Sequence, residues 1–164
     1  MEVQFTLGDC DYYNFGISCA TIKTMVIVID TNVFVGACLG SKASSEVLAS
    51  CLRQQHSPLM GTALLMEYED ILGRDEIFVR SPLSRAERED LLDIFLSTCR
   101  WTRIYFGWRP NLPDEGDNHL VELAVAGGAS RIVTHNLRDL QGKGLRFSGL
   151  EVVTPEQFLQ ERTP

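Results

Sequence analysis

Residues 25–29 read Met-Val-Ile-Val-Ile, five apolar residues in a row of which four are β-branched, and the run stops at Asp30. It is too short for a helix and has no polar alternation, so neither face is available to water. A strand buried on both faces is what such a run predicts. A strand covered above and below needs helical crossovers, and right-handed βαβ units then give a parallel sheet between helical layers.

The rest of the chain supplies those helices and strands. Ala43, Val47, Leu48, Cys51 and Leu52 recur at helical spacing and predict a helix over about 43–55. A short strand around Pro58–Gly61 leads to a second helix, with Thr62 as its N-cap and Leu64, Leu65, Tyr68, Ile71 and Leu72 as its buried stripe. Ser84-Arg85-Ala86-Glu87 has the form of a capping box and opens a helix carrying Leu91, Leu92, Phe95 and Cys99. Residues 101–106 read as a strand, 107–116 as a loop, and about 117–126 as a helix stopped by Gly127-Gly128. Strands follow at Arg131–Thr134 and Glu151–Thr154, and Pro155 opens a last short helix behind Thr154. The expected fold is α/β, a three-layer α/β/α sandwich around a mostly parallel central sheet.

With 164 residues, 45% of them hydrophobic and 23% charged, the chain suits one globular domain. No window approaches the eighteen or so apolar residues of a membrane span, and residues 1–24, which contain Asp9 and Asp11, lack the pattern of a signal peptide. A cytoplasmic protein without a membrane partner is expected. Five cysteines without a Cys-x-x-Cys pair fit reduced thiols better than disulfides or a zinc knuckle. Residues 1–24 form either an N-terminal extension packed on a domain spanning 25–164 or the product of too early a start. Met25 is the favoured initiator. The net charge of −7 argues against gripping nucleic acid by bulk positive charge, but not against meeting phosphates through metal ions and a few arginines.

Ligands of open parallel sheets bind beyond the carboxyl ends of the strands, and acids follow three of these ends. The first strand delivers Asp30, then Thr31 and Asn32. The loop after 101–106 holds Asp114, Glu115 and Asp117, and the 131–134 strand runs into Thr134-His135-Asn136 with Asp139 beyond. The 62–72 helix offers Glu67 or Glu69, which flank its apolar stripe at similar angles, so periodicity does not choose between them. Carboxylates about 4 Å apart repel by roughly 1 kcal/mol in water and about 4 at an effective dielectric of 20. Sharing a pocket therefore requires raised pKa values or a cation. Hard oxygen donors without cysteine suit Mg²⁺ or Mn²⁺. Such an ion can activate water and stabilise both oxygens of a displacement at phosphorus.

The order of these pieces resembles the PIN-domain nucleases, and within them the VapC-type toxins. The resemblance lies in Val26–Asn32 (VIVIDTN), Leu64–Leu72 (LLMEYEDIL), Leu112–Ala126 (LPDEGDNHLVELAVA), Ile132–Leu140 (IVTHNLRDL) and the closing Val153–Leu159, and so covers about residues 25–159. It implies a metal-dependent endoribonuclease that hydrolyses RNA phosphodiester bonds, with the toxin half of a toxin–antitoxin pair as the role it suggests. An antitoxin and a second copy of the chain are the protein partners it suggests. Matched residue by residue, Asp30, Glu67, Asp117 and Asp139 take the catalytic, metal-holding positions. Asp114 matches an extra acid of one branch, while Asn32, Thr134 and Asn136 support the metal shell. Some relatives carry an acid where Asn136 stands, which weakens the expectation of a second ion.

Each residue also has a plainer reading: Asp30 as a turn cap, Asp114 or Asp117 as a helix N-cap, Glu67 as a solvated acid, Asp139 as a turn residue. Only the ordered set favours chemistry. His119 and His135 lack metal-ligand spacing; surface or supporting roles suit both, with substrate contact as the alternative for His135, and His56 reads as a helix end. Lys42, Arg74, Arg80, Arg138, Lys143 and Arg146 are the candidate RNA contacts, and Tyr105, Phe106 and Trp108 are candidate stacking partners. A haloacid-dehalogenase phosphatase would need an acid where Asn32 stands, and a receiver domain would need paired acids near the first strand. The alternative that the acids allow is a catalytically silent PIN-like module for RNA binding or assembly.

Overall fold

The computed structural model describes residues 24–104, 118–140 and 148–160, with the side chain of Asp139 excepted. The apolar run forms β1 (Met25–Ile29), in which Ile27, Val28 and Ile29 are buried. β1 is the middle of a five-stranded sheet of order β3-β2-β1-β4-β5, with β2 at His56–Met60, β3 at Arg100–Trp101, β4 at Arg131–Val133 and β5 at Glu151–Val153. Every pairing is parallel: Val26 faces Ser57, Val28 faces Ile132, Ile132 faces Val152 and Leu59 faces Arg100. The sheet is flanked by helices on both sides, as β1's continuous apolarity requires. On one side α2 (Lys42–Leu52) packs with α1 (Thr31–Cys38), α4 (Arg85–Thr98) and α7 (Pro155–Gln160). On the other, α5 (Asn118–Gly127) lies across β1, β2 and β4. α3 (Thr62–Leu72) touches α1, α4 and α5, and the short α6 (Leu137–Leu140) meets β5.

Local chemistry sets the ends of these elements. Ser84 and Glu87 complete a reciprocal capping box on α4, with Ser84 N–H donating to Glu87 at 2.7 Å and Glu87 N–H returning to Ser84 Oγ at 3.3 Å. Thr154 and Gln157 exchange the same pair of bonds ahead of Pro155. Gly128 adopts φ +67, which lets Ala129 N–H reach back to Ala124 at 2.8 Å and close α5, as Gly127-Gly128 predicted.

Several sequence expectations need correction. Residues 31–38 form α1, where no helix was expected: Val33-Phe34-Val35 carries no polar face because α1 is covered by α2 and α3. The strand expected at 101–106 is only Arg100–Trp101. Among the described residues it pairs with β2 alone, which ends at Met60, so that pairing runs out, and 105–106 lie outside the described residues. Gly61, not Thr62, is the N-cap of α3, without a side-chain bond. His56 starts β2 instead of ending a helix, with its ring 4.9 Å from that of Phe158.

Candidate active site

β1 and β4 lie side by side, and Asp30 N–H donates to Val133 O at 3.0 Å, so the residues leaving both strands emerge together. Asp30 is 7% exposed and is the N-cap of α1, accepting from Asn32 N–H at 3.3 Å. Thr134, fully buried, donates its hydroxyl to Asp30 Oδ2 at 2.6 Å. Asn32 Nδ2 bonds the same Oδ2 at 2.8 Å and Thr134 Oγ1 at 3.1 Å, and Asn136 N–H donates to Thr134 Oγ1 at 2.9 Å. Thr134 thus gives one bond and accepts two, the full capacity of a hydroxyl. These contacts hold the Asp30 carboxylate in one orientation.

Glu67 enters from α3. It is half-buried, while Glu69, the other acid that periodicity allowed, is exposed. Its Oε1 accepts from Thr31 Oγ1 at 2.6 Å, and its Oε2 lies 2.9 Å from His119 Nε2 on α5. Thr31 Oγ1 is also 3.2 Å from Asp30 Oδ1. A threonine hydroxyl has one proton, and the shorter contact takes it. Asp30 and Glu67 are therefore two carboxyl groups joined through an oxygen that can satisfy only one of them. Neither Thr31 nor His119 stood out as a partner of Glu67 in the sequence. Both contacts cross long separations that no local pattern encodes.

The two acids are driven in opposite directions. Burial pushes Asp30 above the ordinary carboxylate value, hydrogen bonds from Thr134 and Asn32 work against it, and the nearby Glu67 charge adds to it. The hydrogen bond from His119 holds Glu67 below its ordinary value, helped by Thr31 and opposed by partial burial. Among the described residues no positive charge acts on Asp30, and its oxygen donors are hard. Both properties fit a divalent cation of the Mg²⁺ or Mn²⁺ kind.

Among the described residues, no group of three His, Cys, Asp or Glu side chains is placed to hold an ion. Asp114 and Asp117 lie outside the described residues. Asp139 falls in α6, beyond the end of β4, with only its backbone described. Tyr105, Phe106, Trp108, Lys143 and Arg146 are likewise outside the described residues. Asn136, Lys42, Arg80 and Arg138 are exposed, and Arg74 pairs with Asp70 on the outer face of α3. No helix among the described residues is long and apolar enough to cross a membrane.

A family model described as PIN domain matches residues 26–138. No curated protein matches the chain. Among solved structures, the chain is similar to one in VapBC2 from Rickettsia felis, determined bound to a DNA fragment of their promoter. The identity is 16%, the TM-score 0.54, and the match covers 79% of this chain and 98% of the other. It is also similar to PAE2754 from Pyrobaculum aerophilum, at 13% identity and a TM-score of 0.53, over 91% of this chain and 95% of that one.

Proposed function

The chain belongs to the PIN domain family, and from that premise we propose that it is an endoribonuclease that hydrolyses RNA phosphodiester bonds with Mg²⁺ or Mn²⁺. The observation that carries the reading is the Asp30–Thr31–Glu67 bridge, two carboxyl groups with one hydroxyl proton between them, at the carboxyl edge of the central strand. Asp30 and Glu67 would hold the ion, with Asp117, Asp139 and Asp114 completing the set. A bound divalent ion would supply activated water and offset charge on the attacking and leaving oxygens. The chain's own residues do the positioning. Asn32 and Thr134 fix Asp30, Thr31 ties Glu67 to it, and His119 takes the second oxygen of Glu67. A place as the toxin of a toxin–antitoxin pair follows from the likeness to the VapBC2 assembly and belongs to the same proposal, as does pairing with a second copy of the chain.

The test is cleavage of a panel of end-labelled RNAs with Mg²⁺, Mn²⁺ or EDTA, wild type beside Asp30→Asn. Divalent-dependent cutting that the variant loses is the expected result. Folded wild type that binds the ion and turns over no RNA would identify a silent module instead.

A further inference from the structure

His135 stands beside the acid pair without touching it, and it is held on two sides. Its backbone N–H donates to Asn32 Oδ1 at 3.1 Å, and its Nε2 lies 2.9 Å from Oγ of Ser44, a wholly buried residue in the first turn of α2. Gly36 on α1 makes the room: a Cβ there would meet Ser44 Oγ at 2.8 Å and His135 Nε2 at 3.2 Å. Even so, His135 remains exposed.

The contact with Ser44 sets the ring's tautomer. Ser44 Oγ has no other hydrogen-bond partner among the described residues, and a buried hydroxyl that only accepted would leave its proton unsatisfied. Ser44 O–H therefore donates to an unprotonated Nε2, which puts the proton of the neutral ring on Nδ1. Among the described residues nothing accepts from Nδ1–H. The ring also has a defined place relative to the acids. Gly36 follows Asp30 by six residues, about 9 Å along α1 at 1.5 Å per residue. The ring's backbone follows directly on Thr134, whose hydroxyl bonds Asp30 at 2.6 Å, so the imidazole reaches from the edge of the acid pair towards Gly36.

Resting on the nuclease reading above, we infer that His135 Nδ1–H donates to a non-bridging phosphate oxygen of RNA bound beside the acid pair. It is a neutral substrate-binding donor held in register with Asp30 through Asn32. The chain is acidic overall, and an uncharged donor sets the strand's position without needing a basic stripe.

The test is fluorescence anisotropy of labelled RNA oligomers of several sequences, with Ca²⁺ replacing Mg²⁺ and RNA integrity checked on gels. Mn²⁺-dependent cleavage is measured in parallel. His135→Gln keeps an amide near the position of Nε2 but has no donor where Nδ1 was. It is expected to weaken binding roughly three- to tenfold, evenly across sequences, with an unchanged salt slope because no charge is lost. Gly36→Ala keeps the imidazole but crowds it off Ser44, and is expected to weaken binding to a similar degree. Wild-type affinity in both variants would overturn the inference. A loss confined to one base, or a slope reduced by about 0.7, would also overturn it, since these indicate base recognition or a charged imidazolium. Wild type that cleaves RNA while both variants bind normally removes the role of His135 alone. Wild type that neither binds nor cleaves any RNA removes the nuclease reading, and this inference with it.

Discussion

At the residue scale, the Thr31 hydroxyl between the two acids is the point of leverage. Thr31→Val keeps the shape and removes the hydroxyl, so Glu67 loses its tie to Asp30. We expect divalent affinity, read by the ion concentration that half-saturates a thermal shift, to fall about 10- to 100-fold. Thr31→Ser is expected to restore it. The thermal gain that Mg²⁺ or Mn²⁺ gives wild type should be absent in Asp30→Asn, because ligand-linked stability needs the ligand site. Glu67 also predicts a pH dependence. Its folded pKa is lowered, so its contribution is complete above its unfolded value near 4.5 and is lost as pH falls through the lower folded value. In EDTA, Glu67→Gln should therefore melt below wild type at neutral pH, with the gap closing in acid. Because Glu67 is 35% exposed, solvent screening limits the gap to about 1 kcal/mol or less, roughly 2–4 °C in a chain of this size. An acid-side gap equal to the neutral one would rule out this linkage.

At the scale of elements, three helices meet through rings. Phe34 of α1 lies 5.2 Å from Tyr68 of α3 and 6.0 Å from Phe95 of α4, centroid to centroid, and Tyr68 and Phe95 are 6.1 Å apart. Tyr68 also donates its hydroxyl to Ile29 O at 3.0 Å, one residue before Asp30, so the α3 that carries Glu67 is tied to the end of β1. Phe95→Ala should cost about 3–5 kcal/mol by urea unfolding, and Ser84→Ala, which opens the α4 cap, only about 1 kcal/mol. The cap variant should cleave like wild type, since α4 supplies nothing to the acid pair. Elements with a single strong local signal were legible in the sequence: β1 from its β-branched run, α3 from its stripe, α4 from its capping box. α1 was not, because burial on several sides erased the polar face that makes a helix readable. The short β3 was overextended because residue preferences do not report where a neighbouring strand stops. Within the site, Asp30 and Thr134 could be placed at strand ends, whereas the half-burial of Glu67 and the bridging of Thr31 depend on how α3 sits against α1.

At the scale of the molecule, the strand order turns back at β1, with β2 and β3 on one side and β4 and β5 on the other. The acid pair sits at this switch point, the place where open α/β sheets bind their ligands. The net charge of −7 means that approach to any nucleic acid draws no help from bulk attraction. The joining of early and late chain has a further consequence during synthesis. Thr134 follows Asp30 by 104 residues, and the backbone N–H of Asp30 donates to the carbonyl of Val133. A chain emerging from the ribosome completes β1, α1 and α3 long before it can set Asp30 in its final orientation. If it cuts RNA as proposed, the growing polypeptide stays harmless to the ribosome and messenger making it until Val133 and Thr134 have been translated and docked.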